Sequence, residues 1–325
     1  MTNELAILDL VHGGLERVEQ KMRAISSVTY APLVEAFMQL LGSGGKRLRP
    51  ALTLAADRVA GGDESEKTIA VAAAVETLHT ATLVHDDLID GALIRRGNTT
   101  LNALWTKSAT VLAGDYIFAR AASLAAETEN IRVIQIFAET LEIICEGELR
   151  QMFSSKQWRQ PKDAYYPRIF AKTASLFASA TQFGAILAGA SREREQALRD
   201  FGLRLGMAFQ IVDDILDYTG DQAVLGKPVG GDLRQGIVTL PLFYYFKEHP
   251  NPDHVVARLE GNTNGNGDAI AELVSEIRSS DAIRQAFAEA RRFTEEAKES
   301  LATLPAGPHH RALLELADFV VAREI

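Results

Sequence analysis

Two short acidic stretches decide how this sequence is interpreted. The first runs from His85 to Asp90 and reads HDDLID, and the second runs from Gln210 to Asp217 and reads QIVDDILD. Each stretch places carboxylates at positions i, i+1 and i+4, and positions i and i+4 share one face of an α-helix. The spacing therefore predicts two helices that each carry a pair of carboxylates one turn apart.

Helical periodicity surrounds both stretches and covers most of the chain, whereas the alternation typical of β-strands is nearly absent. The pattern predicts a helix over about 64–89 that ends in the first motif, and another over about 193–218 that ends in the second. The glycine-rich segments 219–236 and 261–267 indicate loops. No proline-rich or like-charge linker divides the chain, so we predict an all-α fold in a single domain that spans residues 1–325.

Composition excludes several classes of function. The formal net charge of −9 argues against nucleic-acid binding, which requires a basic surface. Cys145 is the single cysteine, so the chain can form neither an intramolecular disulfide nor a cysteine-based metal site. No apolar run approaches the ~20 residues that cross a bilayer, and the pattern of a signal peptide is absent. We therefore expect a cytoplasmic protein without stable membrane insertion.

The aspartates of the two motifs indicate a divalent metal site. A helix C-terminus carries partial negative charge, so clustered carboxylates there are unfavourable unless a cation offsets them. Oxygen ligands without cysteine or paired histidine favour magnesium, with manganese as the alternative, over zinc. A single motif would more often be a solvated helix end, but two copies favour a metal-bound diphosphate. The expected ligands are Asp86, Asp87, Asp90, Asp213, Asp214 and Asp217.

A second anionic substrate would need direct contacts with cations, and the sequence offers several. Gly44–Pro50 reads GGKRLRP and places three cations beside glycines that let a ligand approach the backbone. Arginine binds phosphate through two parallel hydrogen bonds, whereas lysine supplies a point charge. A histidine seven residues before Asp86 lies on the same helical face as that aspartate. The candidates for direct contact are Lys46, Arg47, Arg49, His79, Arg95, Arg96, Lys172 and Lys227.

In the order and spacing of these residues, the chain resembles the trans-polyprenyl diphosphate synthases. Besides the two acidic motifs, the resemblance rests on Gly44–Pro50, Arg95–Gly97, Ala113–Tyr116, Gly147–Glu148 with Gln151, Lys172–Thr173, Gly226–Pro228 and Thr239–Pro241. It implies the isoprenoid synthase fold, a bundle of long antiparallel helices around a deep central cavity, usually as a homodimer. It also implies a magnesium-dependent prenyltransferase that joins isopentenyl diphosphate head to tail with an allylic diphosphate.

The resemblance also implies roles for individual residues. Asp86, Asp90 and Asp213 are similar to the main ligands of about three magnesium ions per site, with the other motif aspartates in support. The residues that resemble the isopentenyl diphosphate pocket are Lys46, Arg49, His79 and Arg96. Those that resemble the allylic side are Arg95, Lys172, Thr173, Gln210 and Lys227. Within that group, the residues expected to act in catalysis are Lys172, Thr173 and Gln210.

The product length is expected to depend on Ala81 and Thr82, which lie five and four residues before Asp86. In the family, aromatic residues at this level close the product tunnel, so small ones predict a product of roughly C30 to C50, as for a quinone side chain. Ile237 departs from the family pattern, because many members carry a lysine there, and an isoleucine cannot supply that charge.

Other interpretations of the sequence are a short-chain synthase, a non-catalytic partner subunit, a terpene cyclase with one substrate, and a catalytic chain that needs a helper subunit. The retained aspartates disfavour the non-catalytic subunit. The basic residues of Gly44–Pro50 and Arg95–Arg96 disfavour the cyclase, because they provide for a second diphosphate.

Overall fold

The computed structural model describes residues 5–24, 30–95, 97–220, 229–261 and 267–322. Secondary structure in these ranges is helical apart from one short hairpin, which confirms the all-α prediction. In the N-terminal part the helices are α1 (Ala6–Leu10), α2 (His12–Arg23), α3 (Ala31–Gly42), α4 (Leu48–Ala60), α5 (Glu66–Ile89), α6 (Leu101–Leu104) and α7 (Lys107–Ala126). The hairpin strands β1 (Ile94–Arg95) and β2 (Asn98–Thr99) pair antiparallel, with Ile94 opposite Thr99.

The remaining part of the described chain is also helical. Its α-helices are α8 (Ile131–Ser154), α9 (Tyr165–Ile169), α10 (Ser175–Leu187), α11 (Arg192–Thr219), α12 (Gly231–Gln235), α13 (Leu240–Glu248), α14 (Pro252–Gly261), α15 (Gly267–Ser279), α16 (Ala282–Ser300) and α17 (Pro308–Ala322). A 3₁₀ turn covers Lys162–Ala164, and a π-helical turn covers Phe170–Ala174. Within the ranges given above, no helix has the length and hydrophobicity needed to cross a membrane.

The chain forms two compact units. Unit 1 consists of Met1–Glu139, Leu176–Gly202 and Leu301–Glu315, and unit 2 consists of Thr140–Ser175, Leu203–Ser300 and Leu316–Ile325. The single-domain organisation stays a prediction.

Helix α5 forms the centre of unit 1. The Ser65 hydroxyl caps it by accepting a hydrogen bond from the Thr68 backbone N–H at 3.2 Å. Every residue over 68–78 is buried, because alanine, valine and leucine cover all faces of the helix there. The helix packs against α4, α7 and α2. This burial fixes the position of the helix end that carries the first acidic motif.

The core of unit 2 surrounds the end of α11. Tyr218, one residue after the second motif, is fully buried in an apolar cluster with residues of α13, α14 and α15. Its hydroxyl lies 3.0 Å from the Thr239 hydroxyl, so the polar end of the buried ring is satisfied. The apolar residues just before the motif's aspartates, Ile211 and Val212, are buried as well. Packing on both sides therefore fixes the rotation of the helix at the motif.

One helix differs from its expected form. The sequence pattern predicts an uninterrupted helix over about 168–190, but the structure has a π-helical turn at Phe170–Ala174 and ends α10 at Leu187. A π turn holds one extra residue, and periodicity cannot reveal it because the apolar pattern shifts by only one position. Such turns occur frequently at functional sites. This one contains two of the residues that the sequence nominates for catalysis, Lys172 and Thr173.

A buried ion pair in unit 1 offers a test of the packing. The Glu195 carboxylate is 5% exposed and accepts hydrogen bonds from both terminal nitrogens of Arg132, each at 2.5 Å, and from the Gln182 amide at 2.7 Å. Arg132→Ala would remove two of these three hydrogen bonds and leave the Glu195 carboxylate with the one from the Gln182 amide. We expect a loss of about 2 kcal/mol in the free energy of unfolding, reduced from the full cost of an unpaired buried charge because Arg132 is partly exposed.

Thermal and urea unfolding of purified protein would measure the loss. Arg150→Ala is the matched control, because Arg150 pairs with Glu146 one turn away and both side chains are exposed. Its removal should change the free energy of unfolding by less than about 0.5 kcal/mol. Equal effects of the two substitutions would show that the Arg132 pair does not stabilise the fold.

Candidate functional site

The first acidic motif lies at the C-terminal end of α5, as its sequence predicts. Asp87 is buried, and the Arg95 side chain of strand β1 donates a hydrogen bond to its carboxylate at 2.6 Å. Burial raises the pKa of Asp87, and the hydrogen bond from Arg95 opposes this rise. Asp86 is half-buried and Asp90 is exposed. The outer two carboxylates of the motif are therefore accessible from solvent, while the middle one serves the protein's own structure.

The second motif, in the last two turns of α11, has a similar division. Asp214 is fully enclosed, and it accepts hydrogen bonds from the Tyr165 hydroxyl and the Gln210 amide, each at 2.7 Å. Burial raises the pKa of Asp214 to about 6. Asp217 accepts backbone hydrogen bonds from Gly231 at 3.1 Å and Asp232 at 3.0 Å, at the start of α12. Asp213 is half-buried and thus more accessible than the other two.

This division bears on the kind of metal site that the motifs can form. Within the described ranges, no three Asp, Glu, His or Cys side chains are grouped so that they alone would hold an ion. Magnesium binds to proteins through one or two carboxylates and fills its shell with water and phosphate oxygens. The accessible carboxylates of Asp86, Asp90 and Asp213 are hard oxygen ligands of this kind. Each motif, taken by itself, therefore fits a metal–diphosphate complex better than a bare ion.

The three residues nominated for catalysis lie together in unit 2. The Thr173 hydroxyl donates to the Gln210 amide oxygen at 2.5 Å, and the Lys172 ammonium lies 3.4 Å from a carboxylate oxygen of Glu148. A cavity of about 40 Å³ is lined by Gln151, Arg168, Ile169, Lys172, Gln210, Asp214, Asp232, Ile237 and Thr239. The cavity is thus lined by the Lys172 ammonium, the Gln210 amide and the Asp214 carboxylate. Ile237 contributes an apolar wall at the position where many family members have a lysine.

The basic stretch Gly44–Pro50, which leads into α4, places its three cations in different surroundings. Arg47 donates to the Leu41 carbonyl at 2.7 Å and the Glu76 carboxylate at 2.9 Å, and it adopts a left-handed conformation with φ 48°. These contacts make it a structural residue. The Arg49 guanidinium lies 4.9 Å from the Phe177 ring centroid, and Lys46 is exposed. The structure therefore separates Arg47 from the two cations that the family resemblance assigns to substrate binding.

The other nominated residues are placed as follows. His79 and Thr82 are half-buried on α5, and the Thr82 hydroxyl donates to the His79 carbonyl at 2.8 Å. Ala81 is 0% exposed. Arg96 and Lys227 lie outside the described residues, so their expected roles stay predictions.

Sequence reasoning missed two residues beside the second motif. Tyr165 is fully buried, and its hydroxyl donates a hydrogen bond to the Asp214 carboxylate. The Arg168 guanidinium donates to the Val238 carbonyl and lies 5.4 Å from the Tyr165 ring centroid. The available signal was weak. Tyr165 precedes Thr173 by eight residues, which places the two side chains about 80° apart around a regular α-helix, so this spacing alone does not indicate a shared network.

Comparisons with known proteins identify the family to which the chain belongs. A family model described as Polyprenyl synthetase matches residues 31–277. The chain is 38% identical to heptaprenyl diphosphate synthase component 2 of Geobacillus stearothermophilus, over 98% of each chain. It is 35% identical to octaprenyl diphosphate synthase of Escherichia coli K12, over 99% of this chain and 98% of the relative. A polyprenyl synthase from Caulobacter crescentus, solved with calcium and isoprenyl diphosphate, matches with a TM-score of 0.91 and 38% identity over 98% of each chain.

This chain belongs to the polyprenyl synthetase family. The predictions of the family, of the isoprenoid synthase fold and of a prenyltransferase are thereby confirmed. Enzymes of this family use a divalent metal ion, and their substrates are isopentenyl diphosphate and an allylic diphosphate.

Neighbouring cations in the basic stretch should respond differently to removal. Arg47→Ala deletes the donors to Leu41 and to Glu76, whose carboxylate is only 7% exposed, so we expect a loss of about 2 kcal/mol in the free energy of unfolding. Lys46→Ala removes an exposed cation and should change stability by less than about 0.5 kcal/mol while it weakens diphosphate binding. Thermal unfolding and isothermal titration with inorganic diphosphate would separate the two effects. Equal loss of stability in both variants would contradict the structural role of Arg47.

Proposed function

We propose that this chain is the catalytic subunit of a trans-prenyltransferase that condenses isopentenyl diphosphate with an allylic diphosphate to make a product of roughly C30 to C50. The proposal rests on the solvent accessibility of Asp86, Asp90 and Asp213. In each motif, the middle aspartate is buried and accepts hydrogen bonds from other side chains of the protein. Relatives named as heptaprenyl and octaprenyl synthases favour this product range. Short-chain synthases also match, at 33% identity for a Methanothermobacter enzyme, so a shorter product is the alternative.

Asp86, Asp90 and Asp213 would hold the magnesium ions, about three per site. When bound, magnesium neutralises the allylic diphosphate and makes it a better leaving group. The Caulobacter relative was solved with calcium and isoprenyl diphosphate, which supports the proposal that this chain binds a divalent ion and a diphosphate.

The protein's own residues would then control the prenyl transfer. The Lys172 ammonium can exchange its Glu148 partner for a diphosphate oxygen and hold the leaving group. As the carbon–oxygen bond breaks, its electron pair leaves with the diphosphate, and the oxygen dipoles of Thr173 and Gln210 can stabilise the allylic cation. The double bond of isopentenyl diphosphate forms the new carbon–carbon bond to the allylic cation, which leaves positive charge on the isopentenyl unit. A proton from the adjacent carbon of that unit then passes to the released diphosphate, and its bonding electrons form the new double bond.

The remaining nominated residues would bind the two diphosphates directly. We assign Lys46, Arg49, His79 and Arg96 to isopentenyl diphosphate, and Arg95 and Lys227 to the allylic substrate. In the structure Arg95 already bonds Asp87, so it would act there together with that carboxylate. Ile237 contributes no charge, so Lys172 carries more of the allylic diphosphate binding in this chain than in relatives with a lysine at that position.

We further propose that the chain is one domain and acts in the cytoplasm as a homodimer. Exposed large apolar side chains on α7 and α8, such as Leu112, Ile131 and Phe153, are of the kind that a second subunit covers. A non-catalytic subunit is disfavoured because the accessible carboxylates and Lys172 are in place. A helper subunit stays open, since one relative is named as a second component.

Loss of an accessible motif carboxylate should abolish most turnover. Asp86→Ala and Asp213→Ala are each expected to lower kcat at saturating magnesium by roughly 10³-fold, because charge stabilisation at the leaving group is a dominant catalytic contribution. Product formation from farnesyl diphosphate and isopentenyl diphosphate would be measured by chromatography. Asp281→Ala, which removes an exposed aspartate paired with Arg284, is the control and should keep wild-type turnover. Full activity of Asp86→Ala would refute the proposed site.

Product length should respond to bulk one turn before the first motif. Thr82 lies four residues before Asp86 and is half-buried, whereas Ala81 is fully buried. Thr82→Phe is therefore expected to shorten the product by several isoprene units without a large loss of stability. Ala81→Phe must displace packed neighbours and should shorten the product at a cost of about 1–3 kcal/mol in the free energy of unfolding. Chromatography of products from both variants tests this, and wild-type chain lengths in both would contradict the assignment of these positions.

A further inference from the structure

Tyr165 has no role in the reaction proposed above, yet its hydroxyl is bonded inside the second motif. We propose that Tyr165 is a positioning residue that, through Asp214, fixes the orientation of the Gln210 amide and the Thr173 hydroxyl. This inference rests on the proposed function, because it concerns how two of the residues that would stabilise the allylic cation are aligned.

The Tyr165 ring is held rigidly in unit 2. It is 0% exposed and makes edge contacts with the rings of Tyr166 and Phe243, with centroids 5.6 and 6.2 Å apart. The Arg168 guanidinium lies over its face at 5.4 Å. A ring packed on its edges and face cannot turn away, so its hydroxyl stays directed at Asp214, 2.7 Å away.

The hydrogen bonds that start at Tyr165 have one consistent direction. A carboxylate only accepts hydrogen bonds. One oxygen of the Asp214 carboxylate accepts a hydrogen bond from the Tyr165 hydroxyl. The other oxygen accepts one from the Gln210 amide nitrogen at 2.7 Å. The amide oxygen of Gln210 then faces Thr173, whose hydroxyl must act as the donor at 2.5 Å. Reversal of the amide would place its oxygen against the carboxylate, so the network excludes that orientation.

This direction decides what Thr173 offers to a substrate. Its proton is used in the bond to Gln210, so the hydroxyl presents oxygen lone pairs. An oxygen dipole fixed in this way suits a developing positive charge and needs no reorganisation during the reaction. A Thr173 hydroxyl that could rotate would instead be free to donate its proton to the diphosphate.

The π-helical turn explains how one helix supplies both ends of the network. At 3.6 residues per turn, side chains eight residues apart differ by about 80° around the axis of a regular α-helix. A π turn rotates less per residue. The π turn at Phe170–Ala174 lies between Tyr165 and Thr173 and reduces this difference, so both hydroxyls reach α11. Their partners there, Asp214 and Gln210, are themselves one turn apart.

The first experiment compares Tyr165→Phe with Tyr166→Phe. Both substitutions remove a hydroxyl that bonds a carboxylate, but Tyr166 bonds Glu289, which is not part of the network. We expect Tyr165→Phe to lower kcat by about tenfold while KM for both diphosphates stays within about twofold, because the binding groups are unchanged. Tyr166→Phe should keep wild-type kcat. Wild-type kcat in Tyr165→Phe, or an equal loss in Tyr166→Phe, overturns the proposal.

A double-mutant cycle tests whether Tyr165 acts through Thr173. Thr173→Val alone should lower kcat, and adding Tyr165→Phe to it should cause no further loss, because the aligned hydroxyl is already absent. Independent, multiplicative losses would contradict the proposal. A merely structural role of Tyr165 would lower the unfolding temperature and leave kcat per folded molecule unchanged, which also counts against it.

A second variant applies if Tyr165→Phe does not fold. Asp214→Asn keeps the shape of the side chain but can donate a hydrogen bond to Gln210, so the amide can reverse. The expected result is a lower kcat with an unchanged magnesium concentration for half-maximal rate, and wild-type kcat overturns the proposal. In every assay, absence of condensation product from the wild-type chain alone would refute its activity without a helper subunit, whereas an active wild type with a fully active Tyr165→Phe refutes only the role of Tyr165.

Discussion

The repulsion between carboxylates placed one turn apart at a helix end is the constraint on which the rest of this structure depends. Each acidic motif adds three negative charges to a helix terminus that is already partly negative. In the structure, some aspartates of each motif accept hydrogen bonds from donors that the fold holds in place. Arg95 bonds Asp87, and Tyr165 and Gln210 bond Asp214. The backbone at the start of α12 does the same for Asp217.

Two short elements, strand β1 and helix α12, supply donors to the motif aspartates. The two-residue strand β1 is too short to add much stability, but it brings Arg95 to the buried aspartate of the first motif. Helix α12 has five residues, and the Asp217 carboxylate bonds the N–H groups of its first two residues. The structure thus converts two rows of similar carboxylates into an accessible set and a buried set. The accessible set is the one proposed to hold the metal ions, and a role of the buried aspartates as ligands stays a prediction.

In unit 2, the hydrogen bonds that stabilise the buried Asp214 carboxylate also connect residues that are proposed to act in the reaction. A fully buried carboxylate such as Asp214 is costly unless donors surround it, and its raised pKa reflects that cost. The donors that offset the cost also orient Gln210 and Thr173. In the proposed reaction, the diphosphate substrate would therefore meet side chains that are already aligned, which would reduce the reorganisation required.

The helices and the acidic motifs could be predicted from the sequence, because apolar periodicity and the spacing of Asp86 and Asp90 are local properties of a helix. It also nominated Lys172, Thr173 and Gln210, which the fold places together in unit 2. The tertiary structure alone decided that Arg47 is structural, that Asp87 and Asp214 are buried, and that a π turn precedes α10. Those outcomes depend on which groups other helices bring close, and a buried donor such as Tyr165 has no local sequence pattern that reveals its partner.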